Sequence, residues 1–110
     1  DDVVVTGGEN VHPTEVEEVL RLHPGIADVA VTGRPDPVYG SVLVAHVVPA
    51  DDQLTDDELL DWARHNLGPH HRPREVRRIA ELPRNATGKV LRRVLAGEVT
   101  IDELDEEDLL

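Results

Sequence analysis

The chain has no cysteine, no methionine and no phenylalanine, and Trp62 and Tyr39 are its only aromatic rings. Without cysteine there can be no disulfide, zinc–thiolate site or thiol nucleophile, and the composition suits a reducing cytoplasm. Any core must be aliphatic, built from Val, Leu, Ile and Ala. No apolar run approaches the roughly 18 residues that a membrane span requires, and nothing opens like a secretory signal. A net charge of −12 argues against nucleic acid and anionic membranes, whose phosphates such a surface would repel. Lysine is as scarce as the aromatics: Lys89 stands alone beside ten arginines.

What is present is one domain's worth of sequence, 110 residues, enough for a single modest core. Asp1-Asp2-Val3 starts inside structured-looking sequence, so the chain reads as a fragment. Charge is unevenly spread. Residues 72–93 carry eight cations against Glu75 and Glu81, a local balance of +6, whereas residues 98–110 carry seven acids and no base. A basic strip in an acidic protein points to a small polyanion.

Three segments place threonine three positions ahead of glutamate, the pattern in which each side chain satisfies the other's free backbone donor at a helix start. They are Thr14 with Glu17, Thr55 with Glu58, and Thr100 with Glu103. Val16, Val19 and Leu20 share a face after the first, and Pro24-Gly25 ends that run. Leu59, Leu60, Trp62, Ala63 and Leu67 make a stripe after the second. The third, with Ile101 and Leu104, predicts a short helix in the acidic tail.

Residues 26–32 and 41–48 are β-branched runs separated by the turn-rich stretch 33–40, and predict neighbouring antiparallel strands. Residues 76–80 predict a third strand, residues 3–6 an extended piece turned by Gly7-Gly8, and residues 89–95 a last short helix. The fold class is therefore α+β: a small, about three-stranded sheet covered by helices in two layers, with a short N-terminal hairpin.

Lys89 follows Leu82-Pro83-Arg84-Asn85-Ala86-Thr87-Gly88, a turn-forming stretch directly ahead of the expected helix. An ammonium retained where every other cation is arginine suits a site wanting a compact, flexible point charge. Near a helix N-terminus it would contact phosphate or developing negative charge. A P-loop is excluded, since position 83 is proline and the residue after Lys89 is Val90, where that motif needs glycine and Ser or Thr. The six histidines lack ligand spacing, so no metal site is expected. Asn85-Ala86-Thr87 matches a glycosylation acceptor by accident. On residues alone, the chain is an anion-contacting α+β domain.

Three segments in register resemble the acyl-CoA synthetase branch of the adenylate-forming enzymes. They are residues 1–17, with Gly7-Gly8-Glu9-Asn10-Val11-His12-Pro13 at their centre; Gly33-Arg34-Pro35-Asp36-Pro37-Val38-Tyr39-Gly40; and residues 82–93, around Gly88-Lys89. The resemblance covers residues 1–97, implying a C-terminal lid domain there and an appended acidic tail over residues 98–110. It implies an acid–CoA ligase, in which carboxylate, ATP and CoA give acyl-CoA, AMP and pyrophosphate, the lid rotating between adenylation and thioester formation. In that family Lys89 would be the adenylation lysine. Gly7 and Gly8 would border the pantetheine tunnel, and Tyr39, Arg72 and Arg74 would contact the CoA nucleotide.

Where relatives often have an aromatic and a lysine, this chain has His70 and His71. Asp1 falls on the hinge. The resemblance further implies ATP and CoA as substrates, Mg2+ carried with ATP by an N-terminal domain outside this chain, fatty- or aryl-acid metabolism in the cytoplasm, and no turnover by the chain alone. Two other readings remain open: the lid of a peptide-synthetase adenylation domain serving a carrier protein, and a non-catalytic binding module. Acetylation of Lys89 would switch adenylation off.

Overall fold

A computed structural model describes residues 2–110. The chain opens with a hairpin, β1 (Val4–Thr6) and β2 (Glu9–Val11), paired antiparallel with Thr6 opposite Glu9. The two residues between them, Gly7 and Gly8, have φ of +57° and +82°. A two-residue turn with both central φ values positive matches the right-handed twist of the flanking strands, and glycine reaches it without strain.

Helix α1 (Pro13–Arg21) starts on a proline, whose missing N–H would be unsatisfied there in any residue. The expected Thr14–Glu17 box does not form. His12 is the N-cap and gives no side-chain cap bond, so Thr14 already lies inside the helix and Glu17 is free for another task.

β3 (Ile26–Asp36) and β4 (Gly40–Pro49) form the long central hairpin. The strands run further into the turn-rich stretch than expected, because the Asp36 carboxylate accepts the Val38 and Tyr39 amides at 3.0 and 2.9 Å and compresses the turn to residues 37–39. Helix α2 (Asp56–Asn66) is capped as expected by Thr55, whose hydroxyl accepts the Glu58 amide at 3.1 Å. α2 then crosses over to β5 (Glu75–Arg78), which pairs parallel to β4. The three-stranded sheet has the order β3-β4-β5.

Val29, Val31, Leu43, Ala45 and Val47 present one sheet face to Val16 and Leu20 of α1 and Leu59 and Ala63 of α2 in a single buried cluster. This is the α+β two-layer arrangement expected. Trp62 fastens the two helices: its indole N–H donates to the Val19 carbonyl at 3.0 Å, and its ring meets His23 edge-on at 5.1 Å.

The outer edge of β3 is closed by side chains of α1. Arg21 donates to the Val29 carbonyl at 3.2 Å, and the Val31 amide donates to Glu17 at 2.7 Å. A strand edge would otherwise offer these groups to another chain.

The last helix of the domain, α3 (Arg92–Leu95), begins three residues later than expected. Lys89 is still in the preceding loop, and the helix-terminus contribution to its surroundings falls away. The acidic tail is ordered: a 3-10 turn at Ile101–Glu103 is followed by helix α4 (Glu106–Leu109). Glu103 accepts both the amide and the hydroxyl of Thr100 at 3.0 Å, the third of the expected pairs.

Candidate functional site

The Lys89 loop is built around Asn85. Its Oδ1 accepts the Thr87 amide at 3.0 Å, the Thr87 hydroxyl at 2.8 Å and the Lys89 amide at 2.9 Å. Its own amide donates to the Lys89 carbonyl at 2.9 Å. Gly88 completes the turn at φ +89°, and Arg84 pairs across its base with Val90. Arg84 also ties the loop to the sheet, donating to the Gly88 carbonyl and to Asp28, each at 2.7 Å.

One step further on, both carboxylate oxygens of Glu17 lie 2.7 Å from an Arg92 guanidinium nitrogen. Backbone direction at Lys89 is thus fixed from both sides while its side chain stays exposed.

The basic strip looks different once folded. Arg77 pairs with Glu75, Arg78 with Asp56, Arg84 with Asp28, Arg92 with Glu17, and Arg93 loosely with Glu98. Arg72 donates to the carbonyls of Leu67 and Arg64 at 2.9 and 3.1 Å, capping the end of α2. Arg74 lies over the Tyr39 ring, 4.6 Å from its centroid. Among the described residues, Lys89 is the only member of the strip whose charge meets neither a carboxylate, a carbonyl nor a ring.

A second cluster gathers the other expected residues. The Gly7 amide donates to the Tyr39 carbonyl at 2.9 Å, joining the N-terminal turn to the β3–β4 turn. The His70 imidazole lies against Gly7, so that a Cβ added there would come within 2.8 Å of it, whereas one added at Gly8 would meet nothing. Nδ1 of His70 faces Glu9 at 3.3 Å. Gly7, Gly8, Tyr39 and Arg74 therefore share one surface, and Arg72 is turned from it onto α2. Lys89 belongs to a different surface, a groove it shares with Leu104 and Glu107. Asp1 lies outside the described residues.

Two carboxyls near the second cluster are held below the usual carboxylate range. For Asp36 the main cause is the hydrogen bond from the Tyr39 amide, helped by Val38, Arg34 and Arg74. For Glu75 it is the hydrogen bond from Arg77, helped by Arg34. Sequence reasoning missed Asn85, taken for an accidental triplet, and Glu17, taken for a cap. Asn85 carried a legible signal, since an Asx side chain ahead of a Thr-Gly pair is itself a turn former.

The AMP-binding enzyme C-terminal domain family matches residues 15–89, and the chain belongs to that family. A 2-succinylbenzoate–CoA ligase of Bacillus cytotoxicus is 42% identical over 94 residues, covering 86% of this chain and 19% of the relative. A fatty acyl CoA synthetase of Mycobacterium tuberculosis superposes with a TM-score of 0.82 at 34% identity, over 92% of this chain and 20% of that one. An amide bond synthetase from Marinactinospora thermotolerans gives the same TM-score at 34% identity, over 88% and 20%. The chain spans about a fifth of the length of the proteins it matches. Among the described residues no helix is long and apolar enough to cross a membrane.

Proposed function

We propose that residues 1–97 are the moving lid of an acid–CoA ligase, that Lys89 is its adenylation lysine, and that residues 98–110 are an appendage to it. The observation that carries the reading is the state of Lys89: the one lysine of the chain, without a charge partner among the described residues, on a loop whose backbone is fixed by Asn85, Arg84 and Arg92. An ammonium so held loses little on meeting a phosphate or carboxylate oxygen, and it supplies charge where adenylyl transfer redistributes it. A single well-placed donor of this kind is worth about 3–4 kcal/mol.

In the second half-reaction the lid would offer its other surface. The bare backbone of Gly8 would border the pantetheine arm, with Tyr39 and Arg74 near the CoA nucleotide. The Arg72 side chain, committed to α2, would contribute through its place in the basic strip. The thiol sulfur attacks the acyl carbon, the bond from that carbon to the AMP phosphate oxygen breaks, and the thiol proton passes to solvent. ATP, CoA, the acid and the upstream N-terminal domain are the partners implied, in the cytoplasm, with the hinge at Asp1. The Mg2+ expected with ATP would be held by the nucleotide and the upstream domain. The likeness to an amide bond synthetase keeps the acceptor open to test.

The experiment compares wild type with Lys89→Ala, in the protein comprising this chain and its upstream domain, in acid-dependent ATP–pyrophosphate exchange and in thioester formation from supplied acyl-adenylate and CoA. Exchange should fall about 10²–10³-fold with thioester formation retained. Unchanged exchange would refute the assignment of Lys89, and no thioester from CoA in wild type would refute the CoA reading.

A further inference from the structure

Residues 98–110 hold seven of the chain's acids and no base, a composition that ordinarily leaves a segment solvated and unstructured. Here the segment folds back on the Lys89 loop, whose cation has no charge partner among the described residues. The contact is direct: the Ala86 amide, at the tip of the Lys89 loop, donates to the Leu109 carbonyl at 2.8 Å. Apolar residues of the tail seat it on either side of the loop. Ile101 and Leu109 join Leu82, Pro83 and Leu91 in one depression. Leu104 joins Val90 and Val94 in the groove that Lys89 itself lines, about 320 Å3 in volume. Glu107 and Asp108 line the same groove, together with Asp2 and the cations Arg92 and Arg93.

The tail is also shaped in advance for this position. Asp105 and Asp108 cap α4 reciprocally, each side chain accepting the other's amide at 3.0–3.1 Å. Asp108 is occupied in that cap, which leaves Glu106 and Glu107 as the uncommitted charges on the helix. Seating is incomplete, with Ile101 and Leu109 still 54% and 40% exposed, so the contact is one that can open.

We infer that the Lys89 loop is a docking surface for an acidic, leucine-bearing segment, and that the chain's own tail occupies it, setting negative charge beside the exposed Lys89 until a stronger anion displaces it. Backbone bonding and leucine seating give the tail its register, and Glu107 lines the groove that Lys89 lines, setting negative charge near the ammonium without pairing with it. Competition with ATP rests on the adenylation role proposed above for Lys89; the docking itself does not.

The test uses the protein with its upstream domain in three forms: wild type, a form ending at Val99, and the charge-only double variant Glu106→Gln, Glu107→Gln, which keeps the Asp105/Asp108 cap and every leucine. The first readout is the rate at which an amine-acetylating reagent modifies Lys89, followed by mass spectrometry of its peptide. Labelling should quicken on truncation by at most about threefold, since a nearby exposed charge that makes no ion pair acts no more strongly than an exposed pair, and less in the charge-only variant. The second readout is the KM for ATP in pyrophosphate exchange, which should fall by a similar factor at low salt. The gap should close near 1 M salt, where the screening length is about 3 Å. Identical labelling in all three forms would overturn the docking. Faster labelling with an unchanged KM for ATP, alongside a Lys89→Ala protein that still exchanges, would uphold the docking and reject the adenylation role on which the competition rests.

Discussion

The Glu17 carboxylate and the Arg92 guanidinium, 75 residues apart, meet at 2.7 Å with side-chain exposures of only 6% and 16%. Glu17 simultaneously accepts the Val31 amide, so one carboxylate joins α1, the edge of the sheet and the helix that follows Lys89. Removing one partner from a buried pair strands the other's charge, at a cost of about 3–5 kcal/mol. Glu17→Ala should lower the unfolding free energy of this chain by about that amount in urea denaturation. Arg92→Ala should cost less, since the Val31 amide still partners Glu17, and the double variant should fall well short of the sum.

Asn85 gives the Lys89 loop its shape without touching the core. Asn85→Ala removes three accepted hydrogen bonds but leaves the sheet and helices intact. The thermal midpoint should move little, while pyrophosphate exchange in the full protein should drop about tenfold, as expected when a reacting group is misplaced. Asn85→Asp keeps the acceptor and should recover most of the rate.

Glycine is needed at positions 7 and 8 for different reasons. Both have positive φ, and an alanine there costs about 1–2 kcal/mol. Only Gly7 adds a collision, with His70 at 2.8 Å. Gly7→Ala should therefore destabilise more than Gly8→Ala, and adding His70→Ala should relieve part of the excess, as read by denaturant midpoints. In the full protein, Gly8→Ala should slow thioester formation while leaving pyrophosphate exchange near wild type.

The main architecture was legible because it rests on periodicity. The apolar stripes of α1 and α2 and the β-branched runs of the central hairpin each had the spacing their element requires, and the two-layer α+β fold followed. Details set by tertiary competition were not legible. Thr14 and Glu17 satisfy the capping pattern, yet a partly buried arginine 75 positions away and an unpaired strand amide bind that carboxylate more usefully than a helix end does. The start of the last helix was misjudged for a similar reason, since Asn85 draws Lys89 into its loop. Lys89 itself stood out by scarcity. That the arginines around it are nearly all engaged needed coordinates.

His46 is buried at 3% exposure, with its Nε2 2.8 Å from the Thr32 hydroxyl. Burial disfavours its charged form and lowers its pKa below the ordinary 6.5; Arg77 adds to this and Glu75 opposes it. Above about pH 6.5 folded and unfolded chains both hold His46 neutral. As pH falls below that value the unfolded chain takes up a proton first, and stability declines until the folded-state pKa is passed. The urea midpoint should therefore drop between pH 7.5 and 5.5, and the drop should be smaller in His46→Gln. An equal drop in both would remove His46 from the account.

The closure of β3 by Arg21 and Glu17 has one more consequence. A sheet whose open rim is finished by its own helix borrows no backbone from a neighbour, so separation exposes no adhesive strand and reunion requires no refolding. The opposite rim is a four-residue strand carrying two arginines, a poor template for another chain. For the lid motion proposed above, a body finished on both rims would part from its partner and return in a different orientation without changing its own fold.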